Sequence, residues 1–373
     1  MSGSQSESKV TLRVNAADSL TEVFLVDSRF EKIAAGVGSV EAAVAPGLYK
    51  ARFRVGQVQS DSLIEVPADA LGKVFDGPAV QFASPVPLRQ TMTWQEKHGE
   101  TAKELSRAKT APFRAGNGSQ CFLVLRGLTE AAALPWSGVS LHDIDGGLIA
   151  KAEHGICTAE SRLCVLHLEL DPGTYRLRVE EEPGEIYEMF VLTLAGWQTQ
   201  IFAVAEDGWL PGVQLVRANL PEAAVLMNEI GKGFDPASPA VRQTELLRLG
   251  LLHGRKILCQ TGLQNLLAAQ PLNPMNALYA AGLVQETNDA AVLAQNMDGT
   301  LAALPDMQLL LSGAGRAEEA PSFALPPLLR KSWQVLMETV SKEQAVIPPG
   351  SLNEQIQQGA ALNSALWLMH RLG

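Results

Sequence analysis

Apolar and polar positions alternate along the chain as far as Leu220 and then give way to helical spacing, so a β-rich part precedes a helical one. Strand-like runs cover Lys9–Val14, Glu22–Asp27, Lys32–Val37, Val40–Val44, Tyr49–Val55 and Ser62–Val66, broken by Gly, Pro, Asp or Ser, with Ala79–Phe82 as a further edge strand. A second set begins at Cys121–Leu125 and continues through Val139–Asp143, Leu148–Ala152, Leu163–Leu170, Tyr175–Glu180, Ile186–Leu194, Thr199–Ala205 and Val213–Val216. Each set contains one turn of the same type, Pro46-Gly47-Leu48-Tyr49-Lys50-Ala51-Arg52-Phe53 and Pro172-Gly173-Thr174-Tyr175-Arg176-Leu177-Arg178-Val179. Pro presets the first corner, Gly supplies the positive φ of the second, and Tyr-basic-apolar alternation enters a strand. Ahead of each turn stands a Val-x-Leu-x-Asp strand, Val23–Asp27 and Val139–Asp143, so the shared order points to duplication.

Between the sets, Thr93–Lys109 carries strong helix formers with a thin apolar face of Trp94, Ala102, Leu105 and Ala108, ended by Pro112 and Gly116-Asn117-Gly118. Beyond Leu220, Ser238-Pro239 opens a helix, and pairs such as Val241–Leu252 with Lys256–Ala268 and Met275–Gln285 with Ala290–Leu301 suggest a helical-hairpin array. The Trp, Gly, Tyr and Pro signature of tetratricopeptide units does not recur in it. Leu329, Trp333, Leu336, Met337 and Val340 form one buried stripe, and the last helices are expected over Asn353–Gly359 and Ala361–Leu372. The expected class is α+β multidomain. It comprises a tail (residues 1–8), a β-sandwich module (9–84), a linker with a connector helix (85–118), a second sandwich (119–218) and an all-α, repeat-like domain (219–373).

Composition narrows the function. With 373 residues, 46% hydrophobic, and a net charge of −10 at a pI near 5.2, the chain lacks the basic surface of a duplex-nucleic-acid binder. Its polar start, Met1–Ser8, differs from a secretory signal, and no long apolar run suits a membrane span, so a cytoplasmic protein is expected. Cys121, Cys157, Cys164 and Cys259 lack zinc-site spacing and read as reduced thiols, although Cys157 and Cys164 could meet across a hairpin. Trp136, Trp197 and Trp209 read as aromatics that close the sandwich ends or touch a neighbouring domain.

Chemistry-bearing motifs are sparse. There is no Gly-x-Ser-x-Gly elbow, and the Gly pairs Gly36-Val37-Gly38 and Gly313-Ala314-Gly315 lack what a phosphate cradle needs. His142-Asp143-Ile144-Asp145 is explained by turn chemistry before Gly146. Cys157 near His154, and Cys259 six residues from His253, carry no protease signature. Catalytic, metal and cofactor residues are therefore expected to be absent. Pro326–Trp333 is the sharpest string: it reads as a helix start, or as a partner groove anchored by Arg330 and Trp333. Ser312–Pro321, with Arg316 among small and acidic residues, is a candidate cleavage loop.

The Pro-Gly-x-Tyr turns resemble those of transthyretin-like and PEGA-like β-sandwich repeats. Phe82-Ala83-Ser84-Pro85-Val86-Pro87-Leu88, Asn273-Pro274-Met275-Asn276-Ala277-Leu278-Tyr279-Ala280-Ala281 and Pro326–Trp333 together resemble an uncharacterised bacterial family. That resemblance implies company with caspase-like or trypsin-like peptidases in bacterial conflict or defence systems, and it carries over no catalytic residue. The expected function is a non-enzymatic adaptor, or a substrate controlled by a partner peptidase. Two other readings are a hydrolase with a site assembled from distant Cys, His or carboxylates, and a carbohydrate- or surface-binding sandwich protein.

Overall fold

The computed structural model describes residues 9–89, 91–92, 95–128, 134–182, 185–210, 213–284, 287–311, 320–361 and 363–372. Strands and helices are mixed, with the strands mostly in the first part and the helices mostly in the last. In the first β region, β1 (Val10–Asn15), β2 (Glu22–Val26), β3 (Lys32–Val37), β4 (Ser39–Val44), β5 (Gly47–Val55), β6 (Val58–Val66) and β7 (Gly72–Asp76) form two sheets. Their orders are β4-β1-β7 and β3-β2-β5-β6. Alternation sorts the side chains: Tyr49, Ala51, Phe53 and Val55 are buried, whereas Lys50, Arg52 and Arg54 face outward between them.

Helix α1 (Glu96–Ser106) leads to a second β region: β8 (Phe113–Arg114), β9 (Ser119–Gly127), β10 (Val139–His142), β11 (Leu148–Lys151), β12 (Ile156–Thr158), β13 (Leu163–Leu170), β14 (Gly173–Glu182), β15 (Glu185–Thr193), β16 (Trp197–Leu210), β17 (Val213–Ala218) and β18 (Ala224–Glu229). One sheet runs β12-β13-β9-β16-β17, with β8 on β13 and β18 on β16, and the other runs β11-β10-β14-β15. The helices follow: α2 (Pro239–Leu252), α3 (Gln260–Leu267), α4 (Pro274–Leu283), α5 (Thr287–Gln295), α6 (Gly299–Ala302), α7 (Pro305–Leu311), α8 (Arg330–Ser341) and α9 (Leu352–Gly359). The short strands β19 (Ala360–Ala361) and β20 (Met369–Leu372) then extend the second sheet beyond β15.

Around the two turns, strand pairing follows the same order. β1 lies antiparallel to β4 and parallel to β7, just as β9 lies antiparallel to β13 and parallel to β16. The β2–β3 hairpin changes register between Leu25 and Val26, and the β10–β11 hairpin between Leu141 and His142. At its tip Asp27 Oδ1 accepts the amides of Arg29 and Glu31 at 2.8 and 2.9 Å; Asp143 Oδ1 accepts those of Asp145 and Gly147 at 3.0 and 2.7 Å. The left-handed position three residues past each Asp is Phe30 (φ 63°) in one hairpin and Gly146 (φ 93°) in the other. Each turn Tyr donates its hydroxyl to the carbonyl ahead of the Pro, Tyr49 to Ala45 at 2.6 Å and Tyr175 to Asp171 at 2.8 Å.

Several expectations are corrected. Ala361–Leu372 is not a helix. Leu366, Trp367, Leu368 and Met369 are consecutively buried, a pattern that no one-sided helix satisfies, and Met369–Leu372 pairs with β15 as a strand. Residues 219–373 are not all helical either, because β18 pairs with β16 before α2 begins. Asn288–Leu301 divides into α5 and α6, with Asp298 capping the second at Leu301 N, and α7 follows. Helix α2 packs mainly on α4 and α3 on α5, so sequential hairpins are not the packing unit. Ala79–Phe82 makes only an isolated bridge, Phe82 to Thr91. Cys157 and Cys164 face each other across β12–β13 and form a disulfide rather than two reduced thiols. Trp136 is buried and Trp197 half-buried; all of Trp94 and the side chain of Trp209 fall outside the described residues.

Two buried polar systems join the parts. On the β13-β9-β16-β18 face, His167, Gln120, Gln198, Gln200 and Asn228 form a ladder whose amides also bond the last carbonyl of α1, Gln198 Nε2 to Ser106 O, and a carbonyl just beyond it, Gln120 Nε2 to Lys109 O, both at 3.0 Å. This satisfies helix-end acceptors that the core would otherwise strand. Burial pulls the His167 imidazole from 6.5 down to about 4. At the second junction, Glu245 of α2 is fully buried, bound by Arg248 Nε at 2.6 Å and by the Ser84 hydroxyl at 2.6 Å. Arg126 of β9 donates to the carbonyls of Ser84 and Pro85 at 3.0 and 2.7 Å, and Arg242 lies over the Phe82 ring at 5.0 Å. The extended strap Val80–Leu88 is thereby held between α2 and the second β region.

Glu245→Ala leaves Arg248 buried without its carboxylate, so a loss of about 3–5 kcal/mol is expected in denaturant unfolding. Because folded His167 resists protonation, the unfolded chain binds more protons between pH 6.5 and 4. Stability should therefore fall as pH drops through that window, and His167→Gln should flatten the decline in pH-resolved melting.

Candidate functional site

The expected partner anchors are occupied within the chain. Trp333 is 7% exposed, and Arg330 donates to the Ser364 carbonyl at 2.8 Å while its backbone amide donates to Leu366 O. Arg330 thereby holds the segment leading into β20. Ahead of them, Asp306 accepts the amides of Leu328 and Leu329 at 2.7 and 3.0 Å; burial pushes its carboxyl up, against these donors. Arg316 and most of the Ser312–Pro321 loop lie outside the described residues.

The cysteine sites do not converge on a histidine. Cys121 is buried, and that burial pushes its thiol up to about 12. Cys157 and Cys164 are bonded to each other. Cys259 is exposed and borders two clefts of about 440 and 720 Å³, whose described lining includes Ser39, Thr261, Asn288 and Asp289 but no His. Among the described residues no cluster of three or more His, Cys, Asp or Glu is placed to hold a metal ion, and no helix is long and apolar enough to cross a membrane.

The corresponding sheets differ in what covers them. In β5 and β6, Lys50 Nζ and Arg52 Nε contact Asp61 at 2.5 and 2.9 Å. In β14 and β15, Arg176 and Arg178 contact Glu188 at 3.4 and 2.9 Å. Arg52 is opposite Asp61 in register and Arg178 is opposite Glu188, so the same two-cation, one-carboxylate triangle is built twice. Arg52, then Lys50, hold the Asp61 carboxyl down at about 2 against slight burial. Burial pushes Glu188 up, but His370, Arg178 and Arg176 outweigh it and keep the carboxyl below its ordinary value.

The second triangle is enclosed, because β20 lies against β15 and His370 Nδ1 stands 2.9 Å from Glu188 Oε1. Phe190, opposite Arg176, is 2% exposed. The first triangle is open. Leu63, opposite Lys50, is 69% exposed, and Leu48 and Phe30 on the same side are 53% and 75% exposed. The Lys50 ammonium sits 5.9 Å from the Phe30 ring. This bare face, with Phe30, Leu48, Leu63, Lys50, Arg52 and Asp61, is the candidate site. The repeated turn shows both basic positions in sequence, and the carboxylates nine and ten residues after Arg52 and Arg178 were the remaining signal.

A comparison with protein-family profiles and with curated proteins finds no match to this chain.

The two carboxylates should respond unequally to neutralisation. Asp61→Asn, at a half-open surface pair, is expected to cost at most about 1 kcal/mol. Glu188→Gln leaves two largely buried guanidiniums without their counter-charge and should cost about 3–5 kcal/mol. Urea titration of both variants checks this.

Proposed function

We propose that the chain is a duplicated β-sandwich protein with a helical body, and that it works as a non-enzymatic adaptor through the outer face of its first sandwich. The supporting observation is the contrast between two equivalent faces. The second has its carboxylate held by His370 of the chain's own C-terminal strand and Phe190 buried, whereas the first exposes Phe30, Leu48 and Leu63 around a charged triangle. Contiguous apolar surface rimmed by charge is the usual mark of a protein-binding patch. The strap, the amide ladder and the buried ion pair make the rest a stiff platform for that face. The partner class is a caspase-like or trypsin-like peptidase, as the resemblance of the Phe82–Leu88, Asn273–Ala281 and Pro326–Trp333 strings implies, with Arg316 as the cleavage point if the adaptor is also a substrate.

The double variant Phe30→Glu, Leu48→Glu should retain its melting temperature and lose capture of a caspase-like or trypsin-like peptidase from its host. Capture at wild-type strength by this variant, or no capture by the wild type, refutes the adaptor reading.

A further inference from the structure

The internal correspondence identifies a specific vacancy. In the second sheet, the outer edge of β15 pairs antiparallel with β20: Ile186 faces Leu372, Tyr187 faces Arg371, Glu188 faces His370 and Met189 faces Met369. Carried through the matched pairs Arg52–Asp61 and Arg178–Glu188, these β15 positions correspond to Gln59, Ser60, Asp61 and Ser62 of β6. β6 is the last strand of its sheet, and no described strand pairs with its outer edge.

The edge has usable polarity. The tight β5–β6 hairpin pairs Val55 with Val58, so the backbone groups of residues 59, 61, 63 and 65 point away from β5. Lys73 Nζ donates to the Glu65 carbonyl, which closes one end of the edge, and this lies outside the stretch equivalent to the β15–β20 pairing. Gln59 and Asp61 keep their outward amides and carbonyls without a strand. Beside them stand a carboxylate 36% exposed where Glu188 is fully enclosed, and a leucine 69% exposed where Phe190 is buried. Unpaired edge strands of this kind accept an extended segment from another chain.

We infer that β6 is a strand-addition site for an extended segment of a partner protein that runs antiparallel to it and places a histidine opposite Asp61. The template is the chain's own Met369-His370-Arg371-Leu372. The histidine supplies a ring N–H to the carboxylate, as His370 stands to Glu188. Main-chain hydrogen bonds supply affinity, and the histidine supplies register. This deepens the adaptor reading and rests on it for the identity of the partner, but the edge is testable by itself.

The probe is a synthetic peptide of the sequence Ser364–Leu372, added to the full-length protein and followed by hydrogen exchange and fluorescence anisotropy. Binding should slow exchange across residues 58–63. Gln59→Pro, which removes an outward N–H from an exposed edge position without touching the β5 pairing, should weaken binding about tenfold or more with unchanged melting. Independently of any change to the protein, a peptide carrying His370→Ala should bind about tenfold more weakly. The inference is overturned by protection confined to residues 185–190, by equal affinity for Gln59→Pro, by absence of binding, or by a dimer of the full-length protein that already protects residues 58–63. If Phe30→Glu, Leu48→Glu loses the peptidase while Gln59→Pro keeps it, strand addition falls and the adaptor reading stands. If wild type captures no peptidase but the peptide still protects β6, the adaptor reading falls and the edge site stands.

Discussion

A single carboxylate away from water, that of Glu245, is the constraint around which the three parts of the chain are arranged. A buried charge is tolerated only when it is paired and its lone pairs are occupied. Arg248 from the same helix and Ser84 from the strap meet that requirement, and the Ser84 and Pro85 carbonyls are in turn held by Arg126 of the second β region. Burial pulls the Arg126 guanidinium down to about 9, with Glu245 opposing the shift. Arg242 adds a second grip at Val80 and reaches Asp18 of the first β region at 3.3 Å. Moving any one element leaves a charge or a carbonyl unsatisfied in the interior, so the strap's path and the seat of α2 are fixed together.

The same logic explains the sequence strings that looked most particular. Phe82–Leu88 is the strap. In Asn273–Ala281, Asn273 caps α4 through the amides of Met275 and Asn276 and reaches Met227 O, Asn276 takes the Thr244 hydroxyl, and Tyr279 donates to Val225 O. In Pro326–Trp333, Asp306 holds the entry to α8 and Arg330 holds the return of the chain toward β20. All three are junctions where polar groups must be satisfied in the core.

Local features were legible because they are local. The Asp-led hairpins and most strands of both β regions follow from alternation and turn chemistry over a few residues, whereas the expected type II corner of the Pro-Gly-x-Tyr segments is not formed: Gly47 lies at φ 152° and Gly173 has no positive φ, and both already begin their strands. The helix start at Ser238-Pro239 and the helical stripe after Met275 were equally visible. What was hidden depends on pairing across long separations. Nothing near Met369 announces that it lies beside Met189, and a run buried on both sides does not distinguish a central strand from a buried helix by period. The candidate face was half legible: Lys50 and Arg52 stand in the repeated turn, but that Asp61 stays open while Glu188 is enclosed by His370 depends on where a distant strand goes. The cross-strand position of Cys157 and Cys164 was visible as a possibility, whereas their bond was set aside by a compartment argument.

The return of the last strand to the middle of the chain also sets a schedule. Residues 186–189 leave the ribosome roughly 180 residues before residue 372, an interval of about 10–40 s at ordinary elongation rates. Throughout that time the nascent chain carries two open sheet edges of like design, of which the described residues close one. During translation, β15 therefore shares the edge exposure of β6 until its own strand arrives.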